Sequence, residues 1–296
     1  MQNLSEANVT EAVIRSLAGC PDHRLRELMV GLVRHLHAFV REVEPTPEEW
    51  SAGIRFLTEA GQRCDDRRQE LILFSDVLGA TILVDAVNNR KPSGATESSI
   101  LGPFYMEGAP ERCLGADLAS RPGPRVTVSG RVRDTEGQPI AGAVLDIWET
   151  APTGLYHMQD PSAPRFELCG RLRADGEGRF TFRTLLPVSY SIPTDGPVGR
   201  LLELLGRHPF RPAHVHFIVS APGHAPVVTE LYTEGDPYLD SDAVFGVKSS
   251  LLVRYLEDGR EEDGTPRYRL EHDFVLERAR QAAGAAPIGV APPAGG

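Results

Sequence analysis

Residues 126–132 read VTVSGRV, and this short run, followed by the turn residues of DTEGQP (134–139), sets the pattern for the second half of the chain. Four more runs repeat it: AVLDIWE (143–149), RFTFRTL (179–185), AHVHFIV (213–219) and VVTELY (227–232). Each is strand-length and ends at turn residues. Gly and Pro also gather in ADGEG (174–178), PTDGPVG (193–199) and SAPGH (220–224), at spacings typical of hairpins and loops in an all-β sandwich.

Toward the N-terminus, NNRKPSG (88–94) closes a different pattern. From about Thr10 to Asn89 apolar residues recur at helical spacing. Leu25, Leu28, Met29, Leu32, Val33, Leu36, Phe39 and Val40 fall on one stripe, enough to bury a full helix face. In TPEEW (46–50), Thr46 can cap, Pro47 sits at the first helical position and Glu49 completes a capping box. A further long helix is expected from about Arg67 to Asn88, making four. The expected fold class is α+β: a helical domain over 1–100, a linker over 101–124 and a β-sandwich over 125–280. The tail QAAGAAPIGVAPPAGG (281–296) has no periodicity able to bury a core and should be flexible.

Of 296 residues, 41% are hydrophobic and 24% charged, which excludes a mainly disordered or collagen-like chain. A net charge of −10 argues against nucleic-acid binding, since phosphate contacts need a clustered basic surface. The opening MQNLSEANVT lacks the basic flank and apolar run of a signal peptide, so the cytoplasm is the expected compartment. Cys20, Cys64, Cys113 and Cys169 have no CxxC spacing and read as free thiols.

The sharpest local signal is RPAHVHF (211–217). Strand side chains alternate, so His214 and His216 share a face with Val215 on the other. At a rise of ~3.3 Å per residue the two imidazoles start about 7 Å apart and can converge on one metal. Such a pair also occurs without a metal, exposed or hydrogen-bonded. His208 and His224 lie in Gly/Pro-rich loops, and His23, His35 and His37 in the helical part, where structural or solvated roles fit better. Tyr156 follows the WETAPTG turn and Tyr190 sits in LLPVSYSIP, both just beyond strands, where loops carry sites. Either alone reads more often as a packing tyrosine with its hydroxyl bonded locally; their weight comes from company.

Five segments, LGPFY (101–105), WETAPTGLY (148–156), LLPVSYSIPTDGPVG (185–199), GRHPFRPAHVHF (206–217) and GDPYLDSDAVFGVK (235–248), together resemble the intradiol (aromatic ring-cleaving) dioxygenase family, in particular its catechol and hydroxyquinol 1,2-dioxygenases. The resemblance runs in order over roughly residues 25 to 275. It implies a helical dimerisation domain on an immunoglobulin-like or prealbumin-like antiparallel β-sandwich. It also implies a homodimer through the N-terminal helices, whose interface in the family sometimes holds a lipid.

Carried over residue by residue, the family's ferric iron, Fe(3+), falls to Tyr156, Tyr190, His214 and His216, with Tyr190 also acting as a base toward a small aromatic diol that reacts with O2. Phenolate is a hard anionic oxygen donor that suits trivalent iron, whereas zinc favours Cys, His and carboxylate. Arg211 matches an arginine thought to stabilise charge developing on the substrate. Substrate contacts map onto Leu73, Asp76, Ile100, Leu101, Gly102, Ile192, Pro193, Arg211 and Val244, mostly apolar as a flat ring requires. Asp76, in LFSDVLG (73–79), is the exception, and resembles the carboxylate that in hydroxyquinol 1,2-dioxygenases partners a third ring hydroxyl. Hydroxyquinol is therefore the first expectation, with catechol or chlorocatechol next. Glu230 stands where catechol dioxygenases carry a glutamine; it would either add negative charge near iron or be satisfied by Arg211.

Two rival classes also fit parts of the sequence. GRVRDTEGQPIAGA (130–143) is shared with prealbumin-like adhesion or carrier modules, which need no Tyr/Tyr/His/His set. His214, His216 and Glu230 would also suit the two-histidine, one-carboxylate logic of a zinc or ferrous enzyme.

Overall fold

The computed structural model describes residues 3–65 and 68–279. The expected tail of 281–296 lies outside them. The chain divides into two compact units between Thr58 and Glu59.

The first unit holds helices α1 (Val9–Ser16), α2 (His23–Val43) and most of α3 (Pro47–Gln62). Asp22 caps α2 by accepting from the backbone N–H groups of Arg24 and Leu25. The capping box of α3 forms as expected, Glu49 N donating to Thr46 Oγ1 at 3.2 Å and Thr46 N donating to Glu49 Oε2 at 2.8 Å. No residue of α2 is buried, so its stripe of Leu25, Leu28, Leu32 and Leu36 leaves an apolar face on the single chain.

The long helix expected up to Asn88 is in fact two, α4 (Glu70–Val77) and α5 (Ala80–Asn88), and the helices before the sheets number five among the described residues. The break falls at Gly79, whose φ of +69° only glycine adopts cheaply and which ends α4 as a left-handed cap. Periodicity alone runs straight through such a residue.

The remainder is a two-sheet sandwich. One sheet contains β1 (Glu111–Arg112), β3 (Val144–Trp148), β4 (Cys169–Arg173), β8 (His214–Ser220), β9 (Val227–Thr233) and β10 (Leu252–Val253), in the order β1-β4-β3-β8-β9-β10. In the other, β2 (Arg125–Asp134) pairs antiparallel with β5 (Arg179–Leu185) on one side. On its opposite side lie β12 (Pro266–Glu271), flanked by β11 (Leu256–Arg260), and then β13 (Phe274–Leu276). The central ladders are antiparallel as expected, whereas β12 and β13 run parallel to β2 and β10 parallel to β9. A short hairpin of β6 (Tyr190–Ser191) and β7 (Phe210–Arg211) and one helix, α6 (Pro197–Leu204), complete the unit. No helix among the described residues is long and apolar enough to cross a membrane.

Val126, Val128, Leu145, Ile147, Phe180, Phe182, Val215, Phe217 and Phe274 fill the space between the sheets. Because β8 alternates, Val215, Phe217 and Val219 enter this core while His214 and His216 face the opposite way. Both histidines are nonetheless buried, so a second packed layer covers that face.

Candidate metal centre and ring pocket

β8 supplies His214 and His216. The turn after β3 returns Tyr156, and β6 places Tyr190 directly opposite Arg211 of β7. Four side-chain atoms converge: Tyr156 Oη lies 3.0 Å from Tyr190 Oη and 2.8 Å from His216 Nε2, which is 3.1 Å from His214 Nε2. Trp148 stacks on the His216 ring, centroids 4.6 Å apart and planes within 7°. Phe104 stacks on Tyr156 at 4.8 Å. His214 Nδ1 bonds the Pro212 carbonyl at 2.7 Å, so the proton sits there and Nε2 is the acceptor nitrogen, receiving a hydrogen bond from Arg211 Nη1 at 3.0 Å.

Burial dominates the electrostatics. It pushes the His214 imidazole down to about 4, helped by the Arg211 charge, and His216 well below its ordinary value, so both are neutral. The same burial, with the neighbouring Tyr190 adding to it, pushes the Tyr156 phenol well up. Tyr190 is raised by burial as well, partly offset by Arg211. Two neutral imidazoles and two phenols that only a bound cation would ionise form a donor set of mixed nitrogen and hard oxygen. Ligands about 2.0–2.1 Å from a metal lie roughly 3 Å from one another, which matches the spacings above.

Glu230, opposite His216 on β9, takes the second of the two roles the sequence left open. Arg211 grips its carboxylate with both Nη atoms, at 2.9 and 3.0 Å, and Ser99 Oγ and Tyr232 Oη donate to Oε2. Burial alone would raise this carboxyl, yet the Arg211 guanidinium holds it well below the usual range. His214, His216 and Glu230 do cluster as a group able to hold a metal. However, both Glu230 oxygens are engaged by other partners, and Oε1 lies 3.1 Å from His216 Nδ1, the ring nitrogen that does not face Tyr156, and 3.5 Å from His214 Nε2. The two phenols are the better-placed oxygens, which weighs against the zinc or ferrous carboxylate reading.

Three functional neighbours went unassigned in the sequence: Ser99, Tyr232 and Asp242. Asp242 accepts from Arg211 Nε at 3.1 Å and Nη2 at 3.2 Å, and from the backbone N–H of Gly246 at 2.9 Å. A Cβ at Gly246 would meet Tyr232 Oη at 2.5 Å and Arg211 Nη2 at 2.9 Å, so this turn has to be bare. The run SDAVFG carried the signal, but its partners lie on other elements.

Beside the four donors opens a pocket lined by Leu73, Asp76, Ile100, Gly102, Ile192 and Val244, together with Pro103, Phe104 and Arg211. Of the expected contacts, Leu101 and Pro193 are not in that lining; Leu101 packs against the aromatic cluster of Phe104, Trp148 and Tyr156 instead. Asp76 is 2% exposed, its Oδ1 has no hydrogen-bond partner, and burial pushes its carboxyl up to about 6, only partly offset by Thr81 and Arg211. His208 bonds Ser241 and His224 the Pro222 carbonyl, and neither joins the cluster. All four cysteines are free.

Comparison with known proteins gives the family. A family profile described as Dioxygenase matches residues 100–278, and one described as Catechol dioxygenase N terminus matches residues 22–96. The chain is 49% identical to a 6-chlorohydroxyquinol 1,2-dioxygenase of Cupriavidus pinatubonensis, over 93% of this chain and 99% of that one. It is 48% identical to a hydroxyquinol 1,2-dioxygenase of Rhizobium sp., over 92% and 96%. Among solved structures, hydroxyquinol 1,2-dioxygenase of Pseudomonas putida DLL-E4 superposes with a TM-score of 0.86 at 48% identity, covering 93% of this chain and 99% of that one. Catechol 1,2-dioxygenase of Acinetobacter radioresistens gives 0.84 at 28% identity, with 98% of each covered. The chain belongs to the intradiol ring-cleaving dioxygenase family.

Proposed function

We propose that this enzyme opens the ring of hydroxyquinol (benzene-1,2,4-triol) between its adjacent hydroxyls with O2, giving a muconate-type dicarboxylate equivalent to maleylacetate. The observation that carries the reading is the convergence of Tyr156 Oη, Tyr190 Oη and the two imidazole Nε2 atoms at 2.8–3.1 Å, beside a pocket whose apolar wall contains one stranded carboxylate, Asp76. Tyr156, Tyr190, His214 and His216 would hold ferric iron, which when bound supplies a Lewis acid that draws electron density from a chelated diol.

The chain's own groups then have distinct tasks. Leu73, Ile100, Ile192 and Val244 clamp the flat ring and exclude water. Tyr190, ionised only when iron is bound, would be the base that takes a proton from a ring hydroxyl; Arg211 opposite it partly offsets the burial that otherwise keeps its phenol protonated. Arg211, fixed by Glu230 and Asp242, keeps a positive charge in a dry site where negative charge develops on the substrate. Asp76 Oδ1 accepts a hydrogen bond from the third hydroxyl, a partner that catechol lacks.

The apolar face of α2 supports a homodimer, and the four free thiols support a reducing compartment such as the cytoplasm. Metal analysis with a visible spectrum tests the centre: about one iron per chain and a phenolate-to-iron charge-transfer band are expected. A colourless or zinc-loaded enzyme of full activity would overturn it.

A further inference from the structure

Arg207 does not line the ring pocket, yet it touches both of its walls. Its Nη1 donates to the carbonyl of Val77 at 2.6 Å, at the end of α4, and its Nη2 donates to the carbonyl of Ala243 at 2.9 Å. Each of these carbonyls belongs to the immediate chain neighbour of a lining residue, Asp76 on one side and Val244 on the other. The guanidinium also lies over the Phe245 ring, 4.8 Å from its centroid. That ring covers Gly79, where a Cβ would sit 3.4 Å from Phe245 Cδ2. A single planar cation therefore spans the carboxylate-bearing helix and the loop from Asp242 to Gly246.

The other end of α4 is also staked. Glu70, fully buried, accepts from Val198 N at 3.0 Å at the start of α6 and pairs with Arg68 at 2.7 Å. The last turn of α4 is tied to α5 through Ser75 Oγ and Thr81 Oγ1 at 2.9 Å, and the Val77 carbonyl is one of the groups a helix end leaves without an intrahelical partner. Arg207 takes that carbonyl and ties it to the opposite wall. A guanidinium suits this because its donors lie in a rigid fork, whereas an ammonium is a point charge on a flexible stem.

We propose that Arg207 is a positioning residue that sets the width of the ring pocket, and thereby which ring substituents are admitted, by pinning α4 to the Asp242–Gly246 loop. The proposal rests on the ring-cleavage reading above. Freed from the pin, Asp76 and Val244 separate while the four donors, carried on β6, β8 and the turn after β3, stay in place. Substrate placement suffers and the metal centre does not.

The test compares Arg207→Met, which keeps much of the stem but neither donor, with Arg207→Lys, which keeps charge but can reach one carbonyl at a time. Steady-state kinetics on hydroxyquinol and on a chlorinated hydroxyquinol are read beside iron content and the visible band. For Arg207→Met the expected result is a KM for hydroxyquinol raised roughly tenfold with kcat within about threefold, and a chlorinated-to-plain kcat/KM ratio moved by about fivefold toward the bulkier ring. Iron content and the band should match the parent, and Arg207→Lys should share the altered ratio. A KM and ratio within about twofold of the parent in Arg207→Met, or parental behaviour of Arg207→Lys, would overturn the proposal. If Arg207→Met fails to fold, Phe245→Leu loosens the loop side of the same clamp and must move the ratio in the same direction; an unmoved ratio overturns it equally. An unaltered protein that cleaves neither triol would instead sink the ring-cleavage reading, before any variant is made.

Discussion

Asp76→Asn should make the protein more stable and a poorer enzyme. The carboxyl is 2% exposed with Oδ1 unpaired, and burial raises it from 3.8 to about 6. An acid held above its unfolded value binds its proton more tightly when folded, so stability is lost as pH rises from 3.8 through about 6 and is level beyond. That gap corresponds to roughly 3 kcal/mol at pH 8 and about half as much at pH 5, with little relief from solvent at so buried a site. Asparagine keeps the shape without the charge and should recover up to that amount. The same change removes a charged acceptor for the third ring hydroxyl, a bond worth about 1.5–3 kcal/mol, or roughly 10- to 150-fold in kcat/KM for hydroxyquinol. Catechol, with no such hydroxyl, should be turned over as well as before or better. Urea unfolding at pH 8 and pH 5 and kinetics on both diols measure the two halves, with iron content and spectrum as controls. A variant less stable than the parent at pH 8 would show that the carboxylate makes native contacts rather than being stranded. An unchanged hydroxyquinol-to-catechol ratio would return Asp76 to packing.

Replacing His214 or His216 with Ala should lower bound iron and activity together, whereas His208→Ala and His224→Ala should retain both; metal analysis of the four purified variants decides it. Glu149 is wholly buried, Oε2 is unpaired, and burial pushes its carboxyl to about 8 despite the Thr184 hydroxyl, so the parent should lose stability as pH climbs from 4.5 through about 8. Glu149→Gln should flatten that slope in denaturant titrations, and an equally steep variant would refute the assignment. Leu28→Lys with Leu32→Lys on the exposed face of α2 should convert a dimer to monomer in light scattering, and a parent already monomeric at micromolar concentration would remove the dimer reading.

What was legible in the sequence is what is local. The capping box of Thr46 and Glu49 needs three residues of spacing, and the shared face of His214 and His216 needs two. Tyr156 and Tyr190 were located through a resemblance that spans the chain, since nothing in either turn alone separates a ligand from a packing tyrosine. The Gly79 break was missed because apolar periodicity continues on both sides of it. Arg211, Glu230 and Asp242 are separated by 19 and 31 residues from the arginine and meet only when β7, β9 and a loop come together. The role of Glu230 depends on that arginine gripping both its oxygens, a contact the local sequence does not encode.

The charge balance of that cluster bears on the centre itself. One guanidinium faces two carboxylates, all three buried, beside two imidazoles kept neutral and two phenols kept protonated by burial. A surplus of negative charge in a dry site is costly unless a cation lies near it. Ionising two phenols there without a metal would deepen the surplus, whereas a cation among the four donors would offset it. The surroundings of the donors, and not the donors alone, therefore favour a bound cation over a neutral binding cleft.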